Sequence, residues 1–281
     1  MNLKYLIPRL ARHFLPEKLV RFLLLRGWII RPGIETSSPD KAAERYRLEL
    51  KETGVSLEGK TILIFGYGGR FSLGVALLKL GAAHIILADK YAPPDDTYNL
   101  GLLSLSGKYL KEEQGCVIPR PEWITLIEED IRSVDVRSAI PQVDILLSSS
   151  VYEHLDDVDG ITKSLATLTK LDGIQLHYVD LRDHYFQYPF EMLSYSEKVW
   201  YGWLNPSSNH NRFRVWDYEK VFERYFNQVE IIVNERDETA FKTTRSRIRP
   251  EFISGNLDDD SVTLIKVITK TPIQLRQIDE V

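Results

Sequence analysis

The 281 residues are 43% hydrophobic and 27% charged, the balance of a globular chain long enough to bury a sizeable core. Cys116 is the only cysteine, which excludes a disulfide framework and a thiolate metal centre and makes a reducing cytoplasm the default compartment. Residues 1–31 hold seven basic side chains and one acid, giving +6; the rest of the chain then carries −10 of the net −4, and an acidic body argues against nucleic acid as a partner.

The first 31 residues mix this positive charge with Leu, Phe, Trp28, Ile29 and Ile30. Arg26 cuts off the apolar stretch at 22–25, so neither a signal peptide nor a bilayer span is read. Pro8 and Pro16 predict short helices rather than one long one. A basic amphipathic segment can lie on an anionic membrane surface. A helical cap over the following domain is the favoured reading, with a boundary at residue 54 (1–54 cap, 55–281 catalytic domain). Residues 31–39 read as a loop. Asp40 is placed as the cap of a helix running to about residue 53, with Ala43, Tyr46 and Leu50 on one face.

Residues 59–91 then read as strand, glycine loop, helix, strand. Thr61–Phe65 is a short apolar, β-branched run of the kind buried on both faces. Gly66, Gly68 and Gly69 follow at once, and residues 71–80 carry apolar side chains at helical spacing up to Gly81, a C-cap glycine. His84–Ala88 is the next strand, closed by Asp89. Glycines let the backbone approach a ligand closely, the helix start offers free N–H groups, and an acid at the second strand's end can accept from two ribose hydroxyls. This predicts an adenosine-containing ligand without choosing among several.

Further along, 91–121 is a long insertion with a short helix near 100–110 and Cys116 in a loop. Strands are expected at 123–127, 143–147 and 173–181, with a helix at 158–169 ended by Gly173. Residues 181–211 are irregular and aromatic. A helix at 216–226 and strands at 229–234 and 261–269 complete the chain, with a polar insertion (235–260) and no clear helix between the last two strands. Repeated strand–helix units imply a parallel sheet, and the last two strands an antiparallel pair at one edge. The expected fold is α/β: a doubly wound, mostly parallel seven-stranded sheet with an antiparallel last strand, an N-terminal helical cap and an aromatic lid at 181–211.

In this order of elements the chain resembles the class I S-adenosylmethionine-dependent methyltransferases over about residues 55–270. Ile64-Phe65-Gly66-Tyr67-Gly68-Gly69 is similar to the family's glycine-rich first motif, Asp89 to its second-strand acid, and Asp130-Ile131 to the pair after its third strand. Val143 to Ser148, continuing to Glu153-His154, is similar to its fourth motif. Two positions depart from the pattern: Ile64 replaces an acid, and Arg70 stands where a third alternate glycine would fall. The resemblance implies S-adenosylmethionine (SAM) as cofactor. The backbone of Gly66, Tyr67 and Gly68 would wrap its methionine and ribose region, Asp89 would take the ribose hydroxyls, Asp130 the adenine amino group, with Ile131 against the ring, and Ser148 would face the sulfonium. Arg70 would meet the cofactor carboxylate or stand solvated, and Asp144 would supply part of the pocket or serve structure.

Methyl transfer to a hydroxyl is helped by a base. His184 is the first candidate and His154 the second; His177, mid-strand, reads as core. The aromatic segment would form a lid suited to a small-molecule or glycan-like acceptor, or equally a satellite core under a long loop. If extended, Arg245, Arg247 and Arg249 share one face that could hold an anionic group. No metal site is read: Asp258, Asp259 and Asp260 lack a histidine at ligand spacing. The expected activity is O-methylation, with a homodimer compatible. The alternatives are an NAD(P)-dependent oxidoreductase, which would use the same glycines and Asp89, and a non-catalytic cofactor-binding protein on the same fold.

Overall fold

Five apolar runs supply the parallel heart of the sheet in the computed structural model, which describes residues 2–14, 34–184, 187–205 and 210–273. They are β1 (Thr61–Phe65), β2 (His84–Ala88), β5 (Ile124–Ile127), β6 (Val143–Ser149) and β7 (Thr169–Asp180). β1 lies between β2 and β6, in register Ile62 to Ile85 and Ile62 to Ile145. Two further strands, β8 (Phe226–Arg236) and β9 (Val262–Pro272), run antiparallel to each other. The sheet order is β5-β2-β1-β6-β7-β9-β8, so the last strand is inserted beside β7 and β8 forms the edge. The outer strand carries mostly exposed polar residues, which protects an open edge from further pairing.

Alternation along β1, β2 and β6 sends side chains to two cores. Ile62, Ile64, Leu87 and Leu147 meet Ala43, Tyr46 and Leu50 of the helix Pro39–Glu52 on one face. Leu63, Ile86 and Leu146 meet Leu165 of the helix Val158–Leu168 and Phe222 of the helix Val215–Glu223 on the other. A third cluster joins Tyr5 and Leu6 of the N-terminal helix (Leu3–His13) to Phe190, Trp200 and Phe241. Among the described residues, no helix is long and apolar enough to cross a membrane.

Several local expectations are corrected. The first helix runs through Pro8, which lies on its exposed side, where the carbonyl left without a partner can reach water. Residues Ile34–Ser37 are helical rather than looped, and Ser38, not Asp40, holds the N-cap position before Pro39. The 91–121 insertion forms two short helices (Asp96–Leu100 and Leu103–Ser106) and a hairpin of β3 (Leu110–Glu113) with β4 (Cys116–Pro119), so exposed Cys116 is in a strand. β7 begins at Thr169, directly after its helix, and Gly173 lies inside the strand. A helix, Glu238–Thr244, does stand between β8 and β9. Arg245–Arg247 is a 3₁₀ turn, in which successive side chains fan out, so no shared extended face forms; Arg247 instead pairs with buried Glu191 at 2.8 Å. Pro16, Trp28, the basic residues at 18–31, Tyr185 and Phe186 lie outside the described residues.

Candidate active site

The C-terminal ends of β1, β2, β5 and β6 converge on one edge of the sheet, where open α/β folds bind ligands. The glycine loop is held there by its own geometry. Gly66, Gly68 and Gly69 all have positive φ, between 67° and 78°. A Cβ on Gly66 would lie 2.2 Å from Val151, and one on Gly69 2.3 Å from the Pro93 carbonyl, whereas Gly68 faces open space. Asn99, fully buried, accepts from the Phe71 N–H (3.1 Å) and donates to the Gly69 carbonyl (2.9 Å), so the insertion after β2 clamps the loop. Sequence reading missed Asn99, because a lone Asn in an insertion carries no local signal.

Two clefts meet at this loop, sharing Phe65, Gly66, Gly68 and Ser150. The first, about 290 Å³, is bounded by Asp89, Asp130, Ile131 and His154. The second, about 230 Å³, lies toward Tyr46, Ile64, Tyr67, Arg70 and Ser148. Each predicted cofactor residue therefore borders one cleft or both, but their side chains stand differently. Asp89 accepts from the N–H groups of Gly68 (3.1 Å), Tyr91 (2.9 Å) and Ala92 (3.0 Å). Those bonds fix its carboxylate at the mouth of the loop and leave capacity for a hydroxyl donor. Asp130 is bound by Arg132 (2.7 Å) and Lys90 (3.0 Å), and the Arg132 guanidinium holds its carboxyl well below the usual range. Ile131 is buried against the first cleft.

Tyr67 stacks on Phe71, and its buried hydroxyl has no hydrogen-bond partner among the described residues. Burial, with Glu128 and Asp89 nearby, raises its pKa. Ser148 gives its hydroxyl to a 2.7 Å bond with His177 Nδ1. His177 is core, as expected: burial pushes it down to about 3, and Gln175 holds its other nitrogen at 2.9 Å. Arg70 lies over the Tyr98 ring at 4.3 Å and 3.6 Å from Asp95. Asp144 serves structure, not the pocket: at the opposite end of β6 it accepts from the Thr61 N–H (2.9 Å) and Lys170 (2.8 Å).

The two candidate bases come together. His154 ends the 3₁₀ turn after β6 (Tyr152–His154), and His184 follows β7; their ring centroids are 4.7 Å apart. Sequence reading names one companion, Glu153, only as part of the fourth motif, and misses the other, His210. The His210 ring lies 4.6 Å from His184 and 5.5 Å from His154. Its pKa falls well below the usual range, through burial and then the neighbouring imidazoles. Glu153 is 1% exposed, and burial, reinforced by Asp180, raises its carboxyl well above the usual range. Beside them, buried Asp183 accepts from Tyr5 and Arg9 of the first helix, tying that helix to the start of the aromatic segment. Phe190 and Trp200 are buried in the third core as a satellite cluster, while Tyr201 and Trp203 are about half exposed.

A nucleoside with a charged amino-acid tail fits these features: a loop that only glycine can build, a fixed carboxylate at its mouth, an orphaned tyrosine hydroxyl, and a second cleft continuing past Arg70. No protein-family model and no curated protein sequence matches the chain. Among solved structures it is similar to geranyl diphosphate methyltransferase in complex with SAM, with a TM-score of 0.50 and 11% identity over 83% of this chain and 85% of that one. It is also similar to the magnesium protoporphyrin IX methyltransferase of Synechocystis PCC 6803 with bound SAH, at a TM-score of 0.47 and 12% identity over 82% and 83% of the two chains. With its last strand inserted antiparallel beside β7, the chain has the seven-strand fold of the class I SAM-dependent methyltransferases.

Proposed function

We propose that the protein is a SAM-dependent methyltransferase acting on an oxygen of a small-molecule or glycan-like acceptor. The observation that carries this reading is Asp89, held by three backbone N–H groups at the mouth of the positive-φ glycine loop, in a sheet closed by the β8–β9 pair. An NAD(P)-dependent oxidoreductase would use the same glycines and acid but would lack that edge pair.

SAM supplies a methyl on a sulfonium, already an excellent leaving group. The chain's task is alignment, water exclusion and proton handling. Gly66, Tyr67 and Gly68 would cradle the ribose and methionine region, Asp89 the ribose hydroxyls, and Ile131 the adenine face. Asp130 would reach the adenine amino group only after Lys90 swings away. Arg70 would turn from Asp95 to the cofactor carboxylate. Ser148 would present its backbone near the sulfonium. His184, with His154 beside it, would take the acceptor's proton. The first helix and residues 187–205 would cover the acceptor, with half-exposed Tyr201 and Trp203 offering aromatic faces suited to a sugar or planar ring.

The test is incorporation of labelled methyl from SAM into a cell extract, with mass analysis of the product. A methylated hydroxyl compound supports the reading. No transfer to any extract component, with S-adenosylhomocysteine still bound, would favour a non-catalytic protein on the same fold.

A further inference from the structure

The histidine corner holds more than a pair of bases needs. Glu153, His154 and His184 each place one ligand-type atom within 4.8 Å of the other two. Glu153 is 1% exposed, and among the described residues neither carboxylate oxygen makes a hydrogen bond of normal geometry, although the backbone N–H groups of Glu153 and Asp180 and the Arg182 charge lie near. A buried carboxylate left in this way is costly unless something positive completes it. His210 is 2% exposed, and neither of its ring nitrogens has such a bond among the described residues, although the Asn211 backbone approaches. Its ring centroid lies 4.6 Å from that of His184.

We propose that Glu153, His154 and His184 bind a divalent transition-metal ion, with His210 as a fourth ligand or the neighbour that orients one. One carboxylate and two imidazoles are the donor set of catalytic zinc centres and of facial-triad sites, both of which keep a position open. Bonds of about 2.0–2.2 Å put adjacent ligand atoms roughly 3 Å apart, a spacing that atoms within 4.8 Å of one another reach by small side-chain movements. His154 and His184 stand on the segments after β6 and β7, where small movements do not disturb the sheet. His154 also borders the first cleft, which places the ion next to the cofactor pocket.

The role of this ion rests on the methyltransferase reading; its binding does not. As a Lewis acid it would hold an acceptor oxygen and ease loss of that oxygen's proton to solvent, with no change in its own valence; in this metal-bound form His154 and His184 act as ligands in place of the base role given above.

The experiment uses the full chain, stripped with a chelator and titrated with Zn²⁺, Mn²⁺, Co²⁺ or Mg²⁺ alone, with S-adenosylhomocysteine binding measured in parallel. The expected result is one equivalent of a transition ion, preferred over Mg²⁺. Glu153→Gln should weaken it by more than the roughly 10–100-fold that a supporting residue costs, with S-adenosylhomocysteine affinity unchanged, and His154→Ala should weaken metal binding by as much. Glu153→Gln should also leave the metal-free melting temperature unchanged or raised while abolishing the rise that the ion produces. Absence of stoichiometric binding of all four ions, or binding unaltered in Glu153→Gln, would overturn the proposal. So would a Glu153→Gln protein destabilised without metal, since that would mark the carboxylate as structural. Metal binding without methyl transfer would sink the methyltransferase reading and leave the metal site standing.

Discussion

The loop side and the histidine side of this site are built in opposite ways. On the loop side the two carboxylates at the pocket and the loop itself are held: Asp89 by three N–H groups, Asp130 by Arg132 and Lys90, the glycine backbone by Asn99. On the histidine side a buried carboxyl and a buried imidazole go without a bond of normal geometry among the described residues, next to two further imidazoles. Satisfied groups hold a shape, and they are what a site needs in order to receive a ligand ready-formed. Buried groups lacking partners are what a site needs in order to act on something, because their protonation state and ligation change when it arrives.

That contrast can be broken by substitution. The largest effect is expected for His184→Ala, which should lower turnover by roughly 10²–10⁴-fold if it handles the acceptor's proton. Affinity for S-adenosylhomocysteine should change little, and single-turnover kinetics beside a binding titration separate the two. Undiminished turnover would move the chemistry away from this corner. Asp89→Ala should weaken S-adenosylhomocysteine by roughly 100-fold or more, since two hydrogen bonds to a charged acceptor, at about 1.5–3 kcal/mol each, sum to about 3 kcal/mol at the least. Unaltered affinity would show that the acid serves only the backbone.

His177 gives an effect in pH rather than in binding. Its folded pKa, about 3, lies below its ordinary value of 6.5, so it stays neutral in the fold while the unfolded chain takes a proton. The stability it contributes is full above pH 6.5 and is lost as pH falls toward 3. By linkage, about 2 kcal/mol should be gone by pH 5. His177→Gln should flatten that part of the acid-unfolding curve, and the difference between the two proteins removes the contributions of other groups. Identical curves would show that the imidazole is protonated in the fold. The smallest effect is expected for Tyr67→Phe, which removes a hydroxyl with no hydrogen-bond partner among the described residues. The free protein should be as stable or slightly more so, and S-adenosylhomocysteine should bind several-fold more weakly, by about 1 kcal/mol. Equal binding would remove Tyr67 from the cofactor's contacts.

What the sequence discloses follows the same division. Thr61–Phe65, the glycines, His84–Ala88 and Asp89 are contiguous, and their roles follow from local backbone rules, so the loop side can be read in a line. The sheet order is legible for a related reason: buried parallel strands are short apolar runs, and the repeat of strand and helix fixes their pairing. The histidine corner is gathered from three distant places, Glu153-His154, His184 and His210, and nothing local ties His210 to the others. Asn99 and the pairing of Arg247 with Glu191 are hidden for the same cause, because each depends on an insertion whose path is set by packing. Pro8 misleads differently. A proline predicts a break, but on an exposed helical face water can replace the missing hydrogen bond.

The central claim, that this fold with these glycines and Asp89 holds a sulfonium nucleoside, is met most directly by isothermal titration of the intact chain with S-adenosylhomocysteine and, separately, with NADH. Saturable binding of S-adenosylhomocysteine with none of NADH is the predicted result. Binding of NADH alone would contradict it and return the glycine loop to the dinucleotide enzymes.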